Sequence, residues 1–274
     1  MASLDALLAK PAAGAAAPQA RLRTGTLVPR LVTGLVIVVA WETLVRALLP
    51  AYVAKPSTVL LAVPKTIVDP AFLAATADTL SAVAQGLGIA VVLGTLIGLV
   101  IGRSPLADRM LRHYVNGFYA VPMIVILPLV SLWFGYSEAT RLVTIVYAAI
   151  FSIIVNVADG ARAVPRDYIE VAQAFRSGRL RALFEIVLPS ATPYFLAGIR
   201  LATGRALIGA LVAEFFTAIG GLGYFILYMS RTFRHDEAFV GVALLAAFGI
   251  GIDALVAWAT RRFLPWYRRE ERSS

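Results

Sequence analysis

The chain of 274 residues contains no cysteine, which excludes disulfides and thiolate metal sites. Its two histidines, His113 and His235, lie far apart in polar connections. Neither has a neighbouring histidine or thiol to complete a metal or acid–base centre. No glycine-rich loop ends in lysine and serine or threonine, so ATP is not bound in that manner. No nucleophile–base pair or carboxylate dyad stands out, which argues against an enzyme. Charged residues make up only 15% of the chain. What is abundant is apolar: 59% of residues are hydrophobic and the mean hydropathy is +0.80. Soluble domains are usually about 45–50% apolar. The excess is gathered into runs close to the roughly 20 residues that cross a bilayer as helix.

Six runs are predicted to span, at about 31–49, 80–101, 114–134, 142–157, 194–219 and 238–258. Backbone polar groups have no water partners in lipid, so each run must be helical. Pro122 and Pro128 cross the third run. Membrane helices tolerate such prolines when neighbours satisfy the freed carbonyls. The expected layout is an all-α integral membrane protein: a disordered tail over 1–28, a transmembrane domain over 29–265 and a short tail over 266–274. A short helix near Leu4 to Leu8 is the only structure suggested in the first tail.

The formal net charge is +9, a balance that elsewhere suggests nucleic acid. The distribution points to a membrane instead. With the N-terminus placed inside, seventeen basic residues fall on that side, five on the other and three at or within spans. By the positive-inside rule both termini are expected in the cytoplasm. The same side holds the longest connection, about 36 residues over 158–193. Ile169, Ala172 and Phe175 have helical spacing before Gly178, and Leu180, Leu183, Phe184 and Val187 after it. Two short amphipathic helices around a glycine turn are predicted outside the bilayer. Their apolar stripe needs cover, either from their own bundle or from a groove on another protein.

Two further features invite opposed readings. Gly94, Gly98 and Gly102 repeat every fourth residue, which permits close helix contact, within the chain or across a dimer axis. Arg200, Arg205, Glu214 and Asp253 are ionisable residues inside spans. Such residues are costly in lipid and either line a pathway or form interhelical ion pairs. Glu42 and Arg46 are four apart and can pair on one helix face.

The long connection resembles the coupling loop of bacterial ABC importer permeases, which opens Glu-Ala-Ala, turns at a glycine and closes Leu-Pro. Here Glu170 and Pro189 stand nineteen residues apart, as in that family, with Val171 in place of the first alanine and Ala172 matching the second. The family's glycine, six residues after the glutamate, is replaced by Arg176, and Gly178 follows two residues later. Trp41 and Glu42, Lys55 to Ser57, the run 128–135, Asn156 to Gly160, Gly198 to Ala202, Ala213 and Glu214, and Gly221 to Tyr224 resemble the nitrate/sulfonate/taurine-type subgroup.

The resemblance implies a type I permease in a bacterial inner membrane, multi-pass, with six spans and a coupling helix pair. It implies two permease copies, a cytoplasmic ATPase dimer that holds the ATP and magnesium, and an extracytoplasmic substrate-binding protein. The chain itself would bind no cofactor, no metal and no nucleic acid. Glu170, Ala172, Phe175, Gly178, Leu183 and Pro189 become the expected coupling residues, with Phe175 and Leu183 filling a groove on the ATPase. The implied cargo is a small anion such as nitrate, a sulfonate, taurine or bicarbonate, while some members of the family carry neutral or cationic heterocycles, including vitamin precursors. A secondary transporter or channel without an ATPase is the rival, and it leaves the loop unexplained.

Overall fold

A computed structural model describes residues 27–50 and 53–263. The expected tails lie outside the described residues, except for Leu27 and Val28, which already belong to a helix. The chain divides into two units, residues 1–51 and 52–274. The first contributes α1 (Leu27–Leu48). This helix is apolar on nearly every face, as a helix in lipid must be. Its one internal ion pair, Arg46 Nε to Glu42 Oε1 at 2.5 Å, joins residues one turn apart.

The second unit runs α2 (Pro56–Thr66), α3 (Pro70–Arg103), α4 (Pro105–Ala120), α5 (Met123–Phe134), α6 (Glu138–Arg162), α7 (Arg166–Ala174), α8 (Arg179–Ala182), a π-turn (Leu183–Val187), α9 (Leu188–Thr217), α10 (Gly221–Arg231) and α11 (His235–Phe263). Proline opens α2, α3 and α4, where its missing N–H costs nothing because the first helical turn has no acceptor for it. Asp69 and Ser104 cap α3 and α4 by accepting from Ala71 N–H and Ala107 N–H.

Among the described residues, five helices are long and apolar enough to cross a membrane, or six if the bent pair α4–α5 counts as one span. That pair corrects the expected third span. Its two helices meet at 98° rather than forming one helix. The cause is local. The carbonyl of Phe118 would normally accept from residue 122, which is proline. It accepts instead from Val121 N–H at 3.2 Å and from the Tyr147 hydroxyl at 2.7 Å. Pro128, by contrast, stays inside α5. α3 also starts ten residues before the apolar run does and is about 50 Å long.

The core is a sandwich of α6 between α3 and α9, built from small and branched side chains. Ala90, Ile145, Ala149, Ile153, Ala202, Ala206 and Ala210 are all fully buried there. Lipid offers no hydrophobic drive to helix pairing, so close backbone approach must supply the contact. The glycine stripe of α3 does this within the chain. A β-carbon on Gly94 would meet Ile153 at 2.9 Å, one on Gly98 the carbonyl of Ile154 at 2.8 Å, and one on Gly102 that of Ala158 at 2.6 Å. Gly198 and Gly209 let α9 approach α6 from the other side. A second cluster, with Phe72 and Phe225 edge to face at 5.2 Å, joins α2, α3, α10 and α11 at one end. A third, of Ala161, Val164 and Val187, anchors the α7–π-turn segment at the opposite end.

Candidate functional site

The α7–α8 segment forms a ledge at one end of the bundle. The expected helix pair is present, but its turn is not at Gly178. α7 closes at Arg176, whose φ is 52°. Ser177 N–H donates to the carbonyl of Ala172 at 2.8 Å, the six-to-one bond of a Schellman ending. The arginine thus adopts the left-handed conformation that glycine takes without strain. Gly178 lies just ahead of α8, with its carbonyl accepting from Ala182 N–H.

The apolar stripe divides in two. Ile169 and Leu183 pack on the buried Ala161, Val164 and Val187, and Ala172 is buried as well. Phe175 is 83% exposed and Phe184 64%, with Tyr168 and Val171 also open. Leu183, expected to fill a groove on a partner, packs partly against this cluster. Its helix face points into the chain's own bundle, and Phe184, one residue on, takes the outward position. Glu170 is exposed and borders a cleft with Arg103 and Arg162. Pro189 follows the π-turn, in which Leu188 N–H reaches back to Leu183. A proline removes the donor that Glu185 would need, and a π-turn accommodates the gap.

The four ionisable span residues fall into three settings. Arg200 on α9 and Asp253 on α11 form a two-bond ion pair, Arg200 Nη2 to Asp253 Oδ2 at 2.7 Å, with a second bond from Arg200 Nε. Glu214 is fully buried. Its Oε1 accepts from the Thr79 hydroxyl at 2.8 Å and lies 3.4 Å from Arg141 Nη1. Its Oε2 accepts from Gly223 N–H at 2.7 Å. Thr79 in turn accepts from Leu222 N–H. Arg141, 3% exposed, makes a fork to Asp78 at 2.7 and 2.9 Å and also pairs with Glu138. The cluster ties α3, α6 and α9 to the start of α10, where Gly221 is the only kind of residue that fits: its φ is 82° and a β-carbon would strike the Glu214 carboxylate.

Arg205 stands apart from both. Its guanidinium lies over the Tyr119 ring, 4.3 Å from the centroid. It borders a recess of about 360 Å³ at the α4–α5 bend, walled by Tyr119, Pro122, Met123, Tyr147 and Phe151. Phe151 packs edge to face on Tyr147 at 5.2 Å, so the wall is aromatic and braced.

Sequence reasoning passed over Asp78, Thr79, Arg141 and Tyr119. A signal existed for the first two. Asp69 followed by Pro70 is a helix start, and it carries the helix through Asp78 and Thr79 before the apolar run begins.

Residues 90–269 match the family described as binding-protein-dependent transport system inner membrane component. The chain is 31% identical over 192 residues to the formylaminopyrimidine transport permease protein ThiX of Halalkalibacterium halodurans, covering 70% of this chain and 77% of that one. It is 31% identical over 174 residues to the putative aliphatic sulfonates transport permease protein SsuC of Bacillus subtilis, covering 64% and 63%. In fold it is similar to a chain of the crystal structure of an amino acid ABC transporter with histidines, with a TM-score of 0.61 at 18% identity, over 74% of this chain and 98% of that one.

Proposed function

Because the chain belongs to the binding-protein-dependent inner membrane components of ABC importers, we propose that it forms, as a homodimer, the pathway by which a small anion enters the cell. Membership itself makes it a multi-pass inner-membrane subunit without catalytic activity. ATP and magnesium belong to a separate ATPase, and a binding protein supplies the substrate. In the proposal the ledge carrying Phe175 faces the cytoplasm and rests on that ATPase. ATPase closure pushes the ledge and switches the pathway between inward- and outward-open states, a two-state device biased by nucleotide.

The observation that carries the coupling role is the 83% exposure of Phe175 on a ledge held by buried neighbours. An aromatic side chain so displayed on a braced turn is an anchor awaiting a pocket. For the cargo, similarity to a permease named for aliphatic sulfonates supports an anion. Similarity to one named for formylaminopyrimidine supports a heterocycle. Arg205, which has no carboxylate partner among the described residues, favours the anion.

Uptake into proteoliposomes holding the permease, its ATPase and its binding protein tests the reading. Nitrate, bicarbonate, ethanesulfonate or taurine is expected to enter only with ATP inside and to stimulate hydrolysis. Import of an aminopyrimidine and none of these anions overturns the substrate class. Orientation is checked separately, and the native chain has no cysteine to confuse the labels. In intact cells a membrane-impermeant maleimide should label His235→Cys and spare Ser177→Cys. The reverse pattern overturns the placement of the ledge.

A further inference from the structure

Arg205 is the point at which the charge pattern of the spans is incomplete. It lies 17 residues from the start of α9 and 12 from its end, so it stands roughly 18 Å or more from either terminus of the helix. Arg46, Arg141 and Arg200 each have a carboxylate partner. Arg205 has an aromatic ring instead. A lone cation at membrane depth persists where it faces a water-filled cavity or a ligand of opposite charge.

The recess supplies the cavity. Its remaining walls are aromatic or aliphatic and carry no acid. The carbonyl of Phe118 already accepts from the Tyr147 hydroxyl and from Val121 N–H, so it is not free to draw a cation. The first turn of α5 also borders the recess at Met123. The Tyr119 ring beneath the guanidinium restrains it and leaves its edge donors available. A planar fork of N–H groups matches two oxygens of a carboxylate, sulfonate, nitrate or bicarbonate. The recess, at about 360 Å³, falls within the usual range for small-molecule sites, about 300–1,000 Å³.

We propose that the recess between the α4–α5 bend and α9 is a binding site for a small oxyanion partway along the pathway, held by Arg205 and shaped by Tyr119 and Tyr147. The site rests on the reading that this permease carries anions. It also places selectivity in the permease itself, beyond the choice made by the binding protein. Because the bend positions Tyr119 and α9 positions Arg205, any movement of α9 relative to the bend changes the site's affinity. A pathway needs that change in order to release what it binds.

The test is direct binding. The purified permease–ATPase complex, without binding protein, is dialysed to equilibrium against each labelled anion that the wild type imports. Arg205→Lys keeps the charge and loses the fork, and is expected to weaken binding about tenfold. Arg205→Gln loses both, and about a hundredfold is expected. Tyr119→Phe keeps the ring and should bind like the wild type, whereas Tyr119→Leu should behave like the lysine variant. If Arg205→Gln does not assemble, Arg205→Lys and Tyr119→Leu decide. Wild-type affinity in both overturns the site. A wild-type complex that imports an anion and binds none by dialysis overturns it too, while leaving the anion importer standing. Failure of the wild type to import any anion overturns the parent reading instead.

Discussion

Replacing Glu214 with alanine is expected to cost the protein about 3–5 kcal/mol, the usual effect of breaking a buried, hydrogen-bonded charge cluster. The carboxylate is fully buried, and its removal leaves three groups without their acceptor: the Thr79 hydroxyl, Gly223 N–H and one edge of Arg141. None can turn to water. Thermal unfolding in detergent should fall by roughly 10 °C or more, by the usual scaling for chains of this size. Glu214→Gln should fall between. Its amide offers one acceptor oxygen where the carboxylate offers two, so either Thr79 or Gly223 N–H meets an NH2 group. Gly221→Ala should be as damaging as the alanine variant, since its side chain enters the space of the carboxylate. Unchanged melting of Glu214→Ala would show that the cluster does not hold α10 in place.

Phe175→Ala is expected to weaken ATPase binding at least tenfold while leaving the permease itself as stable as before. Truncating a buried aromatic anchor typically costs about 2 kcal/mol, and about 1.4 kcal/mol is a factor of ten. In the free permease the ring is exposed, so little internal packing is lost. Phe184→Ala should act in the same direction. Leu183→Ala should do the opposite, lowering stability through the cluster it completes with Val164 and Val187. Arg181 pairs with Glu185 on the surface at 2.8 Å, and such pairs contribute about 0–1 kcal/mol, so Arg181→Ala should have little effect on docking. Titration of labelled permease with purified ATPase distinguishes these results. Wild-type affinity in Phe175→Ala would remove the ledge from the coupling path.

The spans were legible because lipid imposes a rule on long segments, and that rule needs no knowledge of neighbours. The loop helices were legible because their apolar spacing is local. What the sequence did not display was which face of that stripe looks outward. Leu183 and Phe184 are equally apolar and adjacent, and only packing against Val187 separates them. The bend at Pro122 was similarly hidden. Two prolines in one run carry the same chemistry, yet Pro122 breaks the helix and Pro128 does not, because Tyr147 on a distant helix is placed to take the freed carbonyl. Glu214 was found as an isolated charge inside a span. Its partners Asp78 and Arg141 stand outside the apolar runs 80–101 and 142–157, so the cluster could not be assembled from hydropathy.

The π-turn between α8 and α9 has a bearing on how motion travels. From Arg179 to Thr217 the chain is helical without a gap, so α8, Phe184, Arg205 and Glu214 share a single shaft. One added residue in a helical turn advances everything beyond it by about 100° around the axis. The angular phase between α8 and the Arg205 face is therefore set at Leu183–Val187. Unwinding that turn into regular helix would convert an axial push into a twist. The arginine would then swing around the shaft toward or away from the aromatic bend, with no need for the shaft itself to slide.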